Sequence, residues 1–173
     1  RMHETAYLNP ALTIIYEDKR GPEVEHIVYH EEEGIIGFVK DLNKKNEVLH
    51  DVVYFKGEQD GITVEAAFQY TNEFHENILG FCNNIFNAEG GTHITGFKTV
   101  FTTVINSYAR ELGILKEKDS NFTGADVRNG MTAIVSIKHP DPRFEGQTKT
   151  KLDNQDAARV TAKVTGDEIQ LYF

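Results

Sequence analysis

With 173 residues, 39% of them apolar, the chain can bury one core, and its 14 Gly and 4 Pro are not gathered into a Ser- or Gln-rich linker. No apolar run reaches the roughly 18 residues of a membrane span and the charged first residues do not read as a secretory leader, so a soluble, cytoplasmic protein without a membrane partner is expected. A formal net charge of -9 argues against a general nucleic-acid coat, because phosphate binding rests on Lys and Arg, and any DNA contact has to be local. The single cysteine, Cys82, excludes an internal disulfide and a Cys-based zinc site. Its neighbours Ile78, Leu79 and Phe81 mark it as a small core residue. The scattered His show no i, i+4 pair beside a carboxylate, and Glu31-Glu32-Glu33 reads as a solvated run, so no metal site is expected.

Residues 1–8 read as the end of a helix that Asn9-Pro10 stops, because the residue before Pro is pushed out of the helical region. Alternation at Leu12, Ile14 and Tyr16, the Arg20-Gly21-Pro22 turn, and an extended segment from Val24 to His30 predict a hairpin. Ile35, Ile36, Phe38, Val39 and Leu42 lie near helical spacing and predict a short amphipathic helix. Strands are expected over 52–56 and 62–70. In the second, Ile62, Val64, Ala66, Phe68 and Tyr70 alternate with Thr63, Glu65, Ala67 and Gln69, so one face of that strand meets a core.

A further strand is expected over 78–83. After the Gly90-Gly91 turn, Phe97, Val100, Phe101, Val104, Ile105, Tyr108 and Leu112 share one helical face, and Gly113 supplies a stop. Residues 131–138 read as a buried strand and 140–151 as a loop. Residues 155–173 favour helix, with Val160, Thr161, Val164, Thr165 and Gly166 weakening the reading. Together these elements predict an α+β fold, an open mixed sheet with helices packed on one face.

Three segments carry more than periodicity. Glu89-Gly90-Gly91-Thr92-His93 precedes Gly96-Phe97-Lys98. Then come Gly124-Ala125-Asp126-Val127-Arg128-Asn129-Gly130-Met131-Thr132-Ala133 and Pro140-Asp141-Pro142-Arg143-Phe144-Glu145-Gly146-Gln147-Thr148-Lys149-Thr150-Lys151-Leu152. Taken singly, the first is a tight turn, the second holds a surface pair in Asp126 and Arg128, and Lys149 is one exposed lysine among many. Taken in order, they resemble the transducer region of the DNA gyrase B family of type IIA DNA topoisomerases. Residues 1–9 also resemble the helix that ends that family's ATP-binding domain.

The resemblance implies several things that pattern does not show. Residues 1–9 close the preceding ATP-binding (GHKL) domain, and residues 10–173 form the transducer, with a fold like the second domain of ribosomal protein S5 and a left-handed βαβ crossover. ATP and Mg2+ are held in the intact protein, whose ATP site precedes this chain, and none is bound by this chain alone. Gln147 and Lys149 are the catalytic and γ-phosphate-binding residues, and Lys98 faces a DNA cavity. The implied partners are the gyrase A subunit, a second gyrase B protomer and duplex DNA. Two departures stand out: Thr103, where several relatives carry Arg and for which Arg110 could compensate, and Asp153, where relatives commonly have Gly and which is expected to cap the last helix. The transducer of the topoisomerase IV counterpart of gyrase B and a stand-alone S5-like binding module are the alternatives.

Overall fold

The computed structural model describes residues 1–172. The cleanest alternation in the sequence becomes the second strand of the main sheet. Strand β4 (Ile62–Tyr70) buries Ile62, Val64, Ala66 and Phe68 and is flanked by antiparallel β3 (Val53–Gln59) and β7 (Met131–Lys138). β7 is buried almost throughout because it is central and covered on both faces. Its other neighbour, β5 (Asn77–Cys82), runs parallel to it, and β6 (Ile85–Asn87) closes the sheet in the order β3-β4-β7-β5-β6.

Strand β6 is not among the elements that the sequence pattern predicts. It is three residues long and follows Asn83 and Asn84, both left-handed at φ 50° and 67°, a two-residue hairpin turn that Asn tolerates. A mixed sheet with a parallel β5–β7 pair reached through an intervening helix is consistent with the S5-like fold.

The long helices α3 (Thr92–Glu111) and α5 (Gln155–Tyr172) lie together on one face of this sheet. Phe97, Phe101 and Val104 of α3 and Ala157, Val160, Val164 and Ile169 of α5 meet Phe55, Val64, Ala66, Phe68, Val135 and Ile137 in one core. The Val and Thr residues that weaken α5 as an isolated helix are the ones buried here, so packing overrides propensity. Small residues permit the approach. A Cβ on Gly96 would stand 2.5 Å from the Ala158 carbonyl oxygen, and one on Gly57 would stand 2.8 Å from a Val164 methyl. α5 is thereby wedged against both α3 and β3.

A smaller core forms on the opposite face, where Tyr7 and Leu8 of α1 (Met2–Leu8) and Ile35, Phe38 and Val39 of α2 (Ile35–Leu42) cover Ala67, Phe81 and Ile134. The hairpin β1 (Ile14–Asp18) and β2 (Glu25–Tyr29) forms a separate two-stranded sheet, tied to α1 by the His3 ring stacked on Tyr7 and near Tyr29. Cys82 is fully buried, and burial pushes its thiol up to about 11, which suits a packing residue.

His93, at the start of α3, is fully buried, and neither ring nitrogen has a hydrogen-bond partner among the described residues. Its ring lies so close to the sheet that a Cβ on Gly80 would be 2.8 Å from Nε2. Burial depresses its pKa from 6.5 to about 4. Between those values the unfolded chain binds a proton that the folded chain refuses, so stability falls as pH drops through that window. The contribution of His93 to acid lability should be roughly 2 kcal/mol by pH 5. Thermal melting at pH 7 and pH 5 checks this, because His93→Gln should lose much of the pH dependence of the wild type.

Candidate functional site

Residues 140–151, expected as a plain loop, form a short hairpin. Phe144 bridges Leu152, the Glu145 amide donates to the Lys151 carbonyl (2.8 Å), and the Asp153 amide donates to the Arg143 carbonyl (2.8 Å). The Lys151 ammonium pairs with Glu145 across this neck at 3.3 Å. Gly146, Gln147, Thr148, Lys149 and Thr150 are left as the tip, with Gly146 at φ 80° and Lys149 at φ 57°. A left-handed Lys costs on the order of 1 kcal/mol or more and persists only where its surroundings hold it.

The turn before α3 does the holding. Asn87 donates from Nδ2 to the Lys149 carbonyl (2.9 Å), the Glu89 amide donates to the Thr150 carbonyl (2.9 Å), and the Thr150 hydroxyl donates to the Glu89 carboxylate (2.5 Å). Next, the Leu152 amide donates to the Gly90 carbonyl (3.2 Å) and the Thr92 amide to the Leu152 carbonyl (3.0 Å), a parallel bridge centred on Gly91 and Leu152. Two segments singled out separately in the sequence therefore form one structure.

Gly91 is the residue this requires. It has φ 144°, and a Cβ there would sit 2.6 Å from both the amide nitrogen and the carbonyl oxygen of Leu152.

Backbone at the tip is fixed, and the Thr148 and Thr150 hydroxyls bond to each other and on to Glu89, while the side chains of Gln147 and Lys149 point away from such partners. Gln147 and Lys149 are exposed, and among the described residues no carboxylate pairs with the Lys149 ammonium, in contrast to Lys151. The two residues thus present an amide and a cation from one tight turn.

Lys98 is placed elsewhere, on the exposed side of α3, and it is not free. Its Nζ lies 3.1 Å from Glu76, whose other oxygen accepts from Arg128 Nε at 2.5 Å. Burial pushes the Glu76 carboxyl up, but the hydrogen bonds from Arg128 and Lys98 outweigh it and hold the group below its ordinary value. Arg128 belongs to α4 (Gly124–Arg128), a short helix missed in the sequence although Thr123 and Asp126 form its capping box.

Lys98 and Arg128 line a shallow groove of about 470 Å³ together with Thr95, Thr99, Thr102 and Thr103. Arg110 does not substitute for an Arg at Thr103. Its guanidinium is spent on Asn121 and on the carbonyls of Lys116 and Asp119. The expected capping role of Asp153 is likewise not found, because the residue flanking α5 is Asn154. Among the described residues no group of three or more His, Cys, Asp or Glu is arranged to hold a metal ion.

A family model described as DNA gyrase B matches residues 34–173. The chain belongs to the DNA gyrase B family. The DNA gyrase B protein of Enterococcus faecalis is 51% identical over 95% of the chain, and that of Bacillus mycoides is 49% identical over all of it. The chain spans 26% of the Enterococcus relative and 43% of the Bacillus one. Among solved structures, the 43K ATPase domain of Thermus thermophilus gyrase B, in complex with an aminocoumarin, superposes with a TM-score of 0.85 at 31% identity. It is covered over 46% of its length by 99% of this chain. The topoisomerase IV ATP-binding domain of Francisella tularensis shares the fold, with a TM-score of 0.81 at 24% identity, 99% of this chain covering 45% of that one.

Within this gyrase B family chain, Gly91→Ala should be among the most damaging small substitutions. It places a Cβ against backbone atoms that cannot turn away and demands a left-handed φ, for a loss of at least about 3 kcal/mol. Chemical denaturation of the variant beside the wild type measures it. A loss below about 1 kcal/mol would show that the turn and hairpin are not clamped as described.

Proposed function

We propose that this chain is the energy-transducing segment of a bacterial gyrase B protein, with residues 10–173 as the transducer and residues 1–9 as the end of the preceding ATP-binding domain. The observation that carries the reading is the Lys149 ammonium, unpaired among the described residues, beside Gln147 on a rigid hairpin tip bonded to the start of α3. Those residues fit one end of a nucleotide. An ammonium supplies compact positive charge to a γ-phosphate, and a neutral amide adds a weaker donor. Bound ATP supplies the transferring phosphoryl group, with Mg2+ held outside this chain. The chain's own part is to set one cation at the terminal phosphate and to feel its loss.

In the intact protein the expected activity is that of an ATP-hydrolysing type IIA topoisomerase that introduces negative supercoils in the bacterial cytoplasm. It would work with a gyrase A subunit, a second gyrase B protomer and duplex DNA. The curated relatives at 45–51% identity are gyrase B proteins, while the topoisomerase IV likeness is one of fold, which favours the gyrase reading. Lys98 is the proposed contact to a transported duplex, shared with Arg128 once Glu76 is displaced.

Turnover of ATP by the intact gyrase B protein tests the tip. Lys149→Ala should slow hydrolysis about a hundredfold, the effect of removing one preorganised donor, and Gln147→Ala should cost less. Normal turnover by Lys149→Ala with an unchanged melting temperature would contradict the assignment. This chain by itself should show no Mg2+-dependent ATP turnover.

The groove makes a separate demand. Lys98→Ala should weaken DNA-stimulated turnover and leave the basal rate nearly unchanged. Equal loss of both rates would remove Lys98 from the DNA path.

A further inference from the structure

The far side of the hairpin is fastened by a largely buried polar cluster around His139 and Asn154. His139, the residue after β7, is 7% exposed. Its Nδ1 accepts the Asp141 amide at 2.9 Å, so the ring hydrogen is left on Nε2, which lies 2.9 Å from Oδ1 of Asp156 in the first turn of α5. Asn154, 3% exposed, accepts the Arg143 amide on Oδ1 (2.5 Å) and donates from Nδ2 to the Asp141 carbonyl (3.1 Å). The 3.4 Å approach of that Nδ2 to His139 Nε2 brings two donors together and is a packing contact, not a hydrogen bond. The Asn83 side chain closes the cluster by bonding both the amide and the carbonyl of His139 (2.9 Å each).

We infer that His139, Asn154 and Asp156 form a joint through which the position of the Lys149 hairpin is set from α5, making His139 a positioning residue for ATP turnover. The inference rests on the proposed role of Lys149. Three facts support it. The hairpin has two attachments, the Gly91–Leu152 bridge to α3 and this cluster to α5. The first combines backbone bonds with the Asn87 and Thr150–Glu89 side-chain bonds, whereas every bond of the second to the start of α5 uses a side chain of His139, Asn154 or Asp156, so one part can shift there without breaking a backbone ladder. α5 is in turn wedged against α3 at Gly96 and against β3 at Gly57, so it can pass a displacement at its first turn to the rest of the domain as a rigid body.

Chemistry separates the two halves of the joint. In His139→Asn the amide oxygen stands near the position of Nδ1 and keeps an acceptor for Asp141, but nothing reaches Asp156. Asp156→Ala cuts the same link from a half-buried position, and Asp156→Asn keeps an acceptor for Nε2–H.

In the intact gyrase B protein, His139→Asn and Asp156→Ala should each lower kcat for ATP hydrolysis about tenfold with little change in KM, while Asp156→Asn stays near wild type. Combined with Lys149→Ala, either should add little further loss, because both act through the same ammonium. Normal turnover by Asp156→Ala overturns the joint, and so does a full multiplication of the two losses in the double variant.

If Lys149→Ala alone leaves turnover normal, the phosphate-sensing reading fails, and the joint is judged on amide exchange. Asp156→Ala should then speed exchange at Asp141, at Arg143 and in the first turn of α5 together. Unchanged exchange at the hairpin base overturns it.

Discussion

The parallel bridge between Gly91 and Leu152 is the contact on which the rest of this structure depends. It joins the start of α3 to the hairpin at the one point where the two chains lie too close for any side chain at position 91. From there the bonds to Glu89, Asn87 and Thr150 reach to the hairpin tip and hold Lys149 in a left-handed conformation that a free loop would not keep. The arrangement fixes the backbone from which the Lys149 side chain extends. For the proposed contact with a phosphate, the loop's share of the ordering cost is met in folding, while the Lys149 side chain stays exposed.

The net charge of -9 sets the terms on which the proposed contacts with anionic partners could be made. Bulk charge opposes such binding, so it falls to individual cations, some spared a carboxylate and some paired to one. Lys149 is spared, whereas Lys151 is paired to Glu145, and Lys98 and Arg128 share Glu76. The threonines of the groove donate their hydroxyls back to helix carbonyls at Thr95, Thr102 and Thr103, which leaves little directional recognition there. The duplex contact proposed for this groove would read charge and not base sequence.

Much of the fold was legible because each long element meets a core on a definite period. β4 alternates from Ile62 to Ala66 before Ala67 and Gln69 on its other face are buried as well, and α3 buries Phe97, Phe101 and Val104 of its i, i+3, i+4 stripe while Leu112 at its C-terminal stop is exposed. What stayed hidden was short or tertiary. β6 has too few residues for a period, and α4 is a single capped turn. The helix of α5 was favoured in the sequence, but its close packing at Gly96 and Gly57 is tertiary and no local propensity contains it. At the site, Gln147 and Lys149 came only through resemblance. That Glu76 would occupy Lys98, or that His139 would meet Asp156, depends on side chains 22 and 17 positions apart in sequence.

The account stands or falls on whether Lys149 meets the terminal phosphate, and the two hairpin lysines provide an internal comparison. Acylation of the intact gyrase B protein with a small amine reagent, read by mass spectrometry, should label Lys149 readily in the free protein and with ADP. A non-hydrolysable ATP analogue should protect it, while Lys151, paired to Glu145 at the neck, changes little. Equal labelling of Lys149 in all three states would contradict the account.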